Sequence, residues 1–205
     1  MRKFAGLFVF VFLGFGVVWS QSQEKIKFLP DEEKYVTVAV NGGVFFAQDE
    51  VLRELYGNNL PCFGGEVGFR FPVRDPHGLD VAVGGRLLRA KGLTSYTEEE
   101  IRLRLNNLSF SIRYSYDSGR FALFVGPGMD YVMYKETYAE TFPVEFVEGN
   151  QAGFHVIGGG YYHLSSALSL RGYFKYGMAE TDKEGVRVNL GGTEWGISLM
   201  LRFYL

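Results

Sequence analysis

The sequence predicts an all-β fold, an eight-stranded, antiparallel, up-and-down transmembrane β-barrel. Three observations carry that expectation. Apolar side chains recur at every second position in one segment after another, the spacing that gathers them on one face of a strand. The chain holds 19 Phe, 13 Tyr and 27 Gly, a mixture suited to sheets with close backbone approaches. The links between segments alternate short and long, which collects the short turns at one end of a barrel.

The N-terminal segment stands apart. "MRKFAGLFVFVFLGFGVVWS" sets Arg2 and Lys3 before an apolar run, Phe4–Trp19, and ends in Ser20 with Val18 two residues earlier. That is the pattern of a cleaved signal peptide. The run is shorter than the ~20 residues of a membrane-spanning helix, and polar "QSQEK" follows at once. Residues 1–20 are therefore expected to be removed on export, 21–34 to form a flexible periplasmic leader, and 35–205 to form the barrel. Cys62 is the only cysteine, so no internal disulfide is available. His77, His155, His163 and Cys62 are too widely spaced for a zinc site, and no cofactor is expected. A net charge of −2 excludes the broad basic field of a nucleic-acid binder.

No stretch after residue 30 sustains a 3.6-residue period. "YVTVAVNGGVFF" alternates Val36, Val38 and Val40 against Thr37, Ala39 and Asn41. "CFGGEVGFRFP" sets Phe63, Val67, Phe69 and Phe71 against Gly64, Glu66, Gly68 and Arg70. "LDVAVGGRLLR" sets Leu79, Val81, Val83 and Leu87 against Asp80, Ala82, Gly84 and Arg86. "EEIRLRLNNLSFSIRYSY" changes phase, from Ile101, Leu103 and Leu105 to Leu108, Phe110, Ile112 and Tyr114. A β-bulge at Asn106-Asn107 would supply the extra residue. "FALFVGPGMDYVMY" continues the alternation but contains Pro127, which cannot donate to a ladder and predicts a local irregularity. "GFHVIGGGYYHL", "LSLRGYFKYGMA" and the terminal "TEWGISLMLRFYL" complete the set. Each is close to the ~9–11 residues that carry a tilted strand across a bilayer.

The second, fourth and sixth links are short: "VRDPHG", "DSGR" and "SSA". The others span 47–61, 91–99, 135–151 and 180–192, and are long and polar. Outer-membrane barrels have this asymmetry, with short turns on the periplasmic side. A soluble eight-stranded barrel would instead show a water-facing surface rich in Lys and Glu. Here the polar face is mostly Gly, Ala, Ser and Thr with isolated charges, which suits a crowded interior. The other face carries Phe, Leu, Val and Tyr on nearly every strand, natural against lipid. Closure also pairs every backbone group, as hydrocarbon requires. The terminal segment is expected to pair with the strand near Val36–Val44.

With these residues in view, the chain resembles the small outer-membrane β-barrel family, the outer membrane protein β-barrel domain group with its eight-stranded OmpA-type and OmpX-type barrels. The resemblance covers about 35–205 and rests on "VAVNGGVFF", "LYGNNLPCFGGEVGFRF", "RYSYDSGRFALFVGPGMDY" and "WGISLMLRF". It implies residence in the bacterial outer membrane, contact with its lipid and with the barrel-insertion machinery, and a surface ligand taken through the long links. The insertion signal it implies comprises Gly196, Leu199, Leu201 and Phe203. The family usually ends on the aromatic residue, whereas Tyr204 and Leu205 follow here.

If the apolar face is outward, Glu66, Arg70, Asp80, Arg86, Arg113, Asp130, Arg171, Lys175 and Arg202 point inward, joined by His155 and His163. Such a set lines a pore or packs as an internal salt-bridge network. An eight-stranded interior is just wide enough for side chains to fill, which favours the network. "HLSSA" at 163–167 raises an enzyme alternative, because it is similar to the His-x-Ser-Asn pattern of outer-membrane lipid A deacylases. His163 would then be the base and Ser165 the nucleophile, but Ser166 replaces the Asn and the site falls at a short turn. "GPG" at 126–128 and "GGG" at 158–160 lack the following helix and Lys-Ser/Thr of a phosphate loop. The sequence thus points to a non-enzymatic barrel with a filled interior and a structural or surface-interaction role. The alternative is a barrel that binds or passes a small hydrophobic ligand.

Overall fold

The computed structural model describes residues 34–94, 99–138, 146–183 and 186–205. The expected signal peptide, 1–20, and all of the expected leader, 21–34, except Lys34 lie outside the described residues. Eight long strands form the wall: β1 (Tyr35–Ala47), β2 (Leu60–Arg74), β3 (His77–Leu93), β4 (Glu100–Ser118), β5 (Phe121–Thr137), β6 (Phe146–His163), β7 (Leu168–Met178) and β10 (Gly192–Tyr204). A two-stranded ribbon, β8 (Glu180–Lys183) and β9 (Val186–Asn189), lies between β7 and β10 in the chain. A short helix, α1 (Glu50–Tyr56), lies between β1 and β2. The sheet closes in the order β1-β10-β7-β6-β5-β4-β3-β2, every pair antiparallel. Closure runs through β1 and β10, with Val40 opposite Leu199, as the terminal segment predicted.

The alternation has its physical cause in the two sides of this wall. Val40 is 70% exposed, Phe63 69% and Ile197 66%, while their chain neighbours Ala39, Cys62 and Ser198 are buried. A continuous apolar band of this size is not stable in water. In hydrocarbon it is the required surface, because the closed ladder leaves no unpaired backbone there.

The phase change in β4 is not a bulge, which corrects the expectation at Asn106-Asn107. Pairing with β3 runs without a shift from Leu88↔Leu105 through Leu87↔Asn106 and Arg86↔Asn107 to Gly85↔Leu108. Odd-numbered residues face inward along the strand. What changes is the environment. Near the long links the inward residues are Ile101, Leu103 and Leu105, all buried, and the outward ones are Arg102 and Arg104. Farther down, the inward residues are Asn107, Ser111, Arg113 and Ser115, and the outward ones are Leu108, Phe110, Ile112 and Tyr114.

Two further departures concern local order. The link at 47–61 is not simply a polar loop: α1 occupies its centre, too short to display a helical period. Asp49 caps it, its carboxylate accepting from the N–H groups of Val51 (2.9 Å) and Leu52 (3.2 Å). The β2–β3 ladder shifts register between Pro72 and Arg74, beside the turn at Asp75-Pro76. At Pro127 the expected irregularity is present. Pairing of β4 with β5 skips from Ser111↔Gly128 to Tyr114↔Val125 without losing register.

Candidate functional site in the lumen and at its mouth

The inward charges form three stacked groups. In the middle, Glu66 of β2 is gripped by two guanidinium groups that reach it from other sides of the ring. Arg113 of β4 approaches with both terminal nitrogens, Nη1 donating to Oε1 at 2.8 Å and Nη2 donating to Oε2. Arg171 of β7 donates from Nη1 to the same Oε1 at 2.6 Å. The remaining donors of Arg171 reach Ser198 Oγ (3.1 Å) and Asn41 Oδ1 (3.0 Å). The forked geometry of Arg matches a carboxylate in this way, and buried charge is tolerated only when so paired.

Toward the long links, Arg86 Nη1 lies 2.5 Å from Glu194 Oε2, and the Tyr173 hydroxyl donates to Glu194 Oε1 at 2.7 Å. Beside them Asp130 lies 2.7 Å from Lys175 Nζ and 3.0 Å from His155 Nδ1. Toward the short turns, Arg70 bonds Asp117 and Ser115 Oγ (2.7 Å) and sits 3.5 Å from Asp80. Arg202 donates to the Ser165 carbonyl at 2.6 Å and stacks over Tyr35. Asp117 and Glu194 were missed by the sequence reading, although strand parity puts both on the inward face. With them the acids approach the six inward bases in number. Two spaces between these layers, one beside Glu194 and Asp130 and one beside Arg70 and Asp80, measure about 10 Å³ each.

Above the charges the lumen turns apolar. Leu52 and Tyr56 of α1 pack with Phe45, Leu60, Leu88, Ile101, Leu103, Leu105 and Val132 in one buried cluster. The helix lies so close to β3 that a Cβ on Gly92 would stand 2.2 Å from the Leu55 carbonyl oxygen. Glu136 of β5 accepts hydrogen bonds from the hydroxyls of Tyr56 and Tyr138, the latter at 2.7 Å. Burial, then the bonded carboxylate, raises the pKa of both phenols. Asp49 Oδ2 also accepts from the Asn189 N–H at 3.2 Å, tying α1 to the end of β9.

The His163–Ser165 pair expected of a deacylase-like site does not form. His163 Nδ1 is 2.9 Å from Ser169 Oγ, and its Nε2 is 3.6 Å from Asp117 Oδ1. Ser165 Oγ is used within the turn, accepting from the Ala167 and Leu168 N–H groups. Ser169 is completely buried. Among the described residues no cluster of His, Cys, Asp and Glu is placed to hold a metal.

On β10, Leu199, Leu201 and Phe203 face outward. Gly196 faces inward against Tyr173, whose ring would stand 2.4 Å from a Cβ there. The last residues continue the wall: Tyr204 pairs with Tyr35, its hydroxyl donates to the Ser166 carbonyl at 2.7 Å, and the Leu205 N–H donates to Lys34 at 3.1 Å.

Several solved structures share this architecture. The chain is similar to Neisserial surface protein A (TM-score 0.54, 14% identity), with 83% of this chain and 97% of that one covered. It is also similar to the attachment invasion locus protein Ail of Yersinia pestis (TM-score 0.52, 11% identity), with 85% of this chain and all of that one covered. Ail has also been solved in complex with the heparin analogue sucrose octasulfate (TM-score 0.51, 10% identity), with 85% of this chain and all of that one covered. At these identities the likeness is one of fold. No curated protein matches the sequence. The sequence does match the outer membrane protein beta-barrel domain across residues 9–203, and the chain belongs to that family of bacterial outer-membrane barrels.

Proposed function

We propose that this protein is a non-conducting, non-enzymatic outer-membrane barrel that works at the cell surface through its long-loop end. The observation that carries this reading is the filled lumen. Glu66, Arg113 and Arg171 bridge strands across the ring, and the apolar cluster around Leu52 and Tyr56 closes the mouth above them. Spaces of about 10 Å³ hold no more than a water molecule. Neither space takes a small hydrophobic ligand or a hydrated ion. The strands toward the long links extend beyond the apolar belt, and that end offers the broad surface a partner would meet. Ail, of the same fold, has a complex with a heparin analogue, which makes a polyanion a sensible first probe here.

In this reading residues 1–20 are removed during export and 21–34 form a periplasmic leader. The outward row Leu199, Leu201 and Phe203, with Gly196 behind it, is what the insertion machinery reads. Planar-bilayer recording tests the reading. Purified barrel should give no unitary current steps, whereas stable steps of uniform size would show an open lumen and reject it.

A further inference from the structure

The outer surface at the long-loop end is unevenly charged. Among the described side chains of the wall, its cations gather on three adjacent strands: Arg89 and Lys91 of β3, Arg102 and Arg104 of β4, and Lys135 of β5. Register puts them side by side, with Arg89 opposite Arg104, Lys91 opposite Arg102 and Arg104 opposite Lys135. Two outward carboxylates share the patch. Glu100 lies 3.4 Å from Lys91 and 2.6 Å from Arg102, and Glu148 lies 3.5 Å from Lys135. Among the described residues neither the Arg89 nor the Arg104 guanidinium has a hydrogen-bond or ion-pair partner. The outward positions near the same end of β1, β10 and β7 are the uncharged Phe46, Thr193 and Tyr176.

Like charges directly opposite one another weaken an antiparallel pair, and Glu148 offsets only Lys135, so the unpaired guanidinium groups of Arg89 and Arg104 beside it call for an anion. Its position says which kind. Two residues farther along the same faces stand Leu87, Asn106 and Met133, followed by Leu108 and Tyr131, the start of the lipid-facing belt. Two residues are about 7 Å along a strand, the scale that separates a headgroup from the chains below it. A guanidinium fork fits a phosphate with two parallel bonds. We propose that this patch binds the phosphorylated headgroup of an outer-leaflet lipid, with Arg104 at its centre, Arg89 and Lys135 beside it, and the acyl chains lying along Leu87, Leu108 and Tyr131. The proposal rests on the reading that the long-loop end faces out of the cell.

The test uses the full mature barrel and the triple variant Arg89→Gln, Arg104→Gln, Lys135→Gln. Arg89 and Arg104 are exposed, Lys135 is half-buried on the same outer face, and none reaches the lumen. Each protein is refolded into phosphatidylcholine vesicles carrying lipopolysaccharide or its dephosphorylated form. The glycolipid retained through purification and the midpoint of the heat-induced gel shift are then measured. Wild type is expected to retain the phosphorylated glycolipid several-fold better than the triple variant, with a higher midpoint, and to lose the advantage with the dephosphorylated form. Inorganic phosphate at matching concentration is expected to shift neither protein; an equal shift would make a free anion the ligand and overturn the proposal. Equal retention by the triple variant would also overturn it, as would capture of a soluble sulfated glycan in place of the lipid. Impermeant thiol labelling of whole cells carrying Arg53→Cys on α1 separates the premises. A label without lipid retention defeats this inference alone, and no label defeats the orientation beneath it.

Discussion

The two halves of β4 are built to opposite plans. From Ile101 to Leu105 the apolar side chains face the lumen and arginines face out; from Leu108 to Tyr114 the apolar side chains face out and Arg113 faces the lumen. The register is the same in both halves. The reversal therefore records a change of surroundings: lipid outside the lower half, water outside the upper. Above the membrane the barrel obeys the ordinary rule of soluble proteins and buries a hydrophobic core. Within the membrane that core is unnecessary, because the solvent itself is apolar, and the interior is held by charges and hydrogen bonds instead.

Substitutions that respect or violate the local plan should separate the halves. The largest effect is expected from Glu66→Ala, which strands Arg113 and Arg171 together. Loss of one partner of a buried ion pair costs about 3–5 kcal/mol, read from urea unfolding of the barrel in detergent. In the upper half Leu105→Ala removes a fully buried side chain and is expected to cost about 2–5 kcal/mol in the same assay. In the lower half Ile112→Arg puts a charge in the middle of the lipid-facing belt, at about 2–4 kcal/mol when refolding is measured in bilayers. Arg102→Gln on the outer face of the upper half removes only exposed ion-pair contacts and is expected to cost less than about 1 kcal/mol. Between these lies Asp49→Ala, which uncaps α1 at about 1 kcal/mol. Its readout is faster amide exchange in Glu50–Tyr56 without a change in barrel yield.

Strand number, pairing order and facing could be read from the sequence because period two is a direct image of a wall with two unlike sides. At Ile101–Leu105 the alternation misleads, since it reports only which residues share a face and says nothing of the solvent beyond it. A change of solvent and a one-residue bulge leave the same mark. The helix α1 was hidden because seven residues make barely two turns; its legible signals were the cap at Asp49 and the Gly57 that follows it. Partners in the lumen were beyond reach for another reason. Arg86 and Glu194 are 108 residues apart, and strand parity places both inside without saying which cation meets which acid. Ser165, two residues after His163, is a turn residue because its hydroxyl satisfies two backbone N–H groups that the turn exposes.

The reversal on β4 can be measured directly with spin labels attached one at a time at Arg102, Arg104, Leu108, Phe110 and Ile112 in a bilayer. Labels at 108, 110 and 112 are predicted to be relaxed by dissolved oxygen and shielded from a water-soluble nickel chelate, and labels at 102 and 104 to show the opposite. Uniform behaviour along all five positions would contradict the change of solvent within one continuous strand.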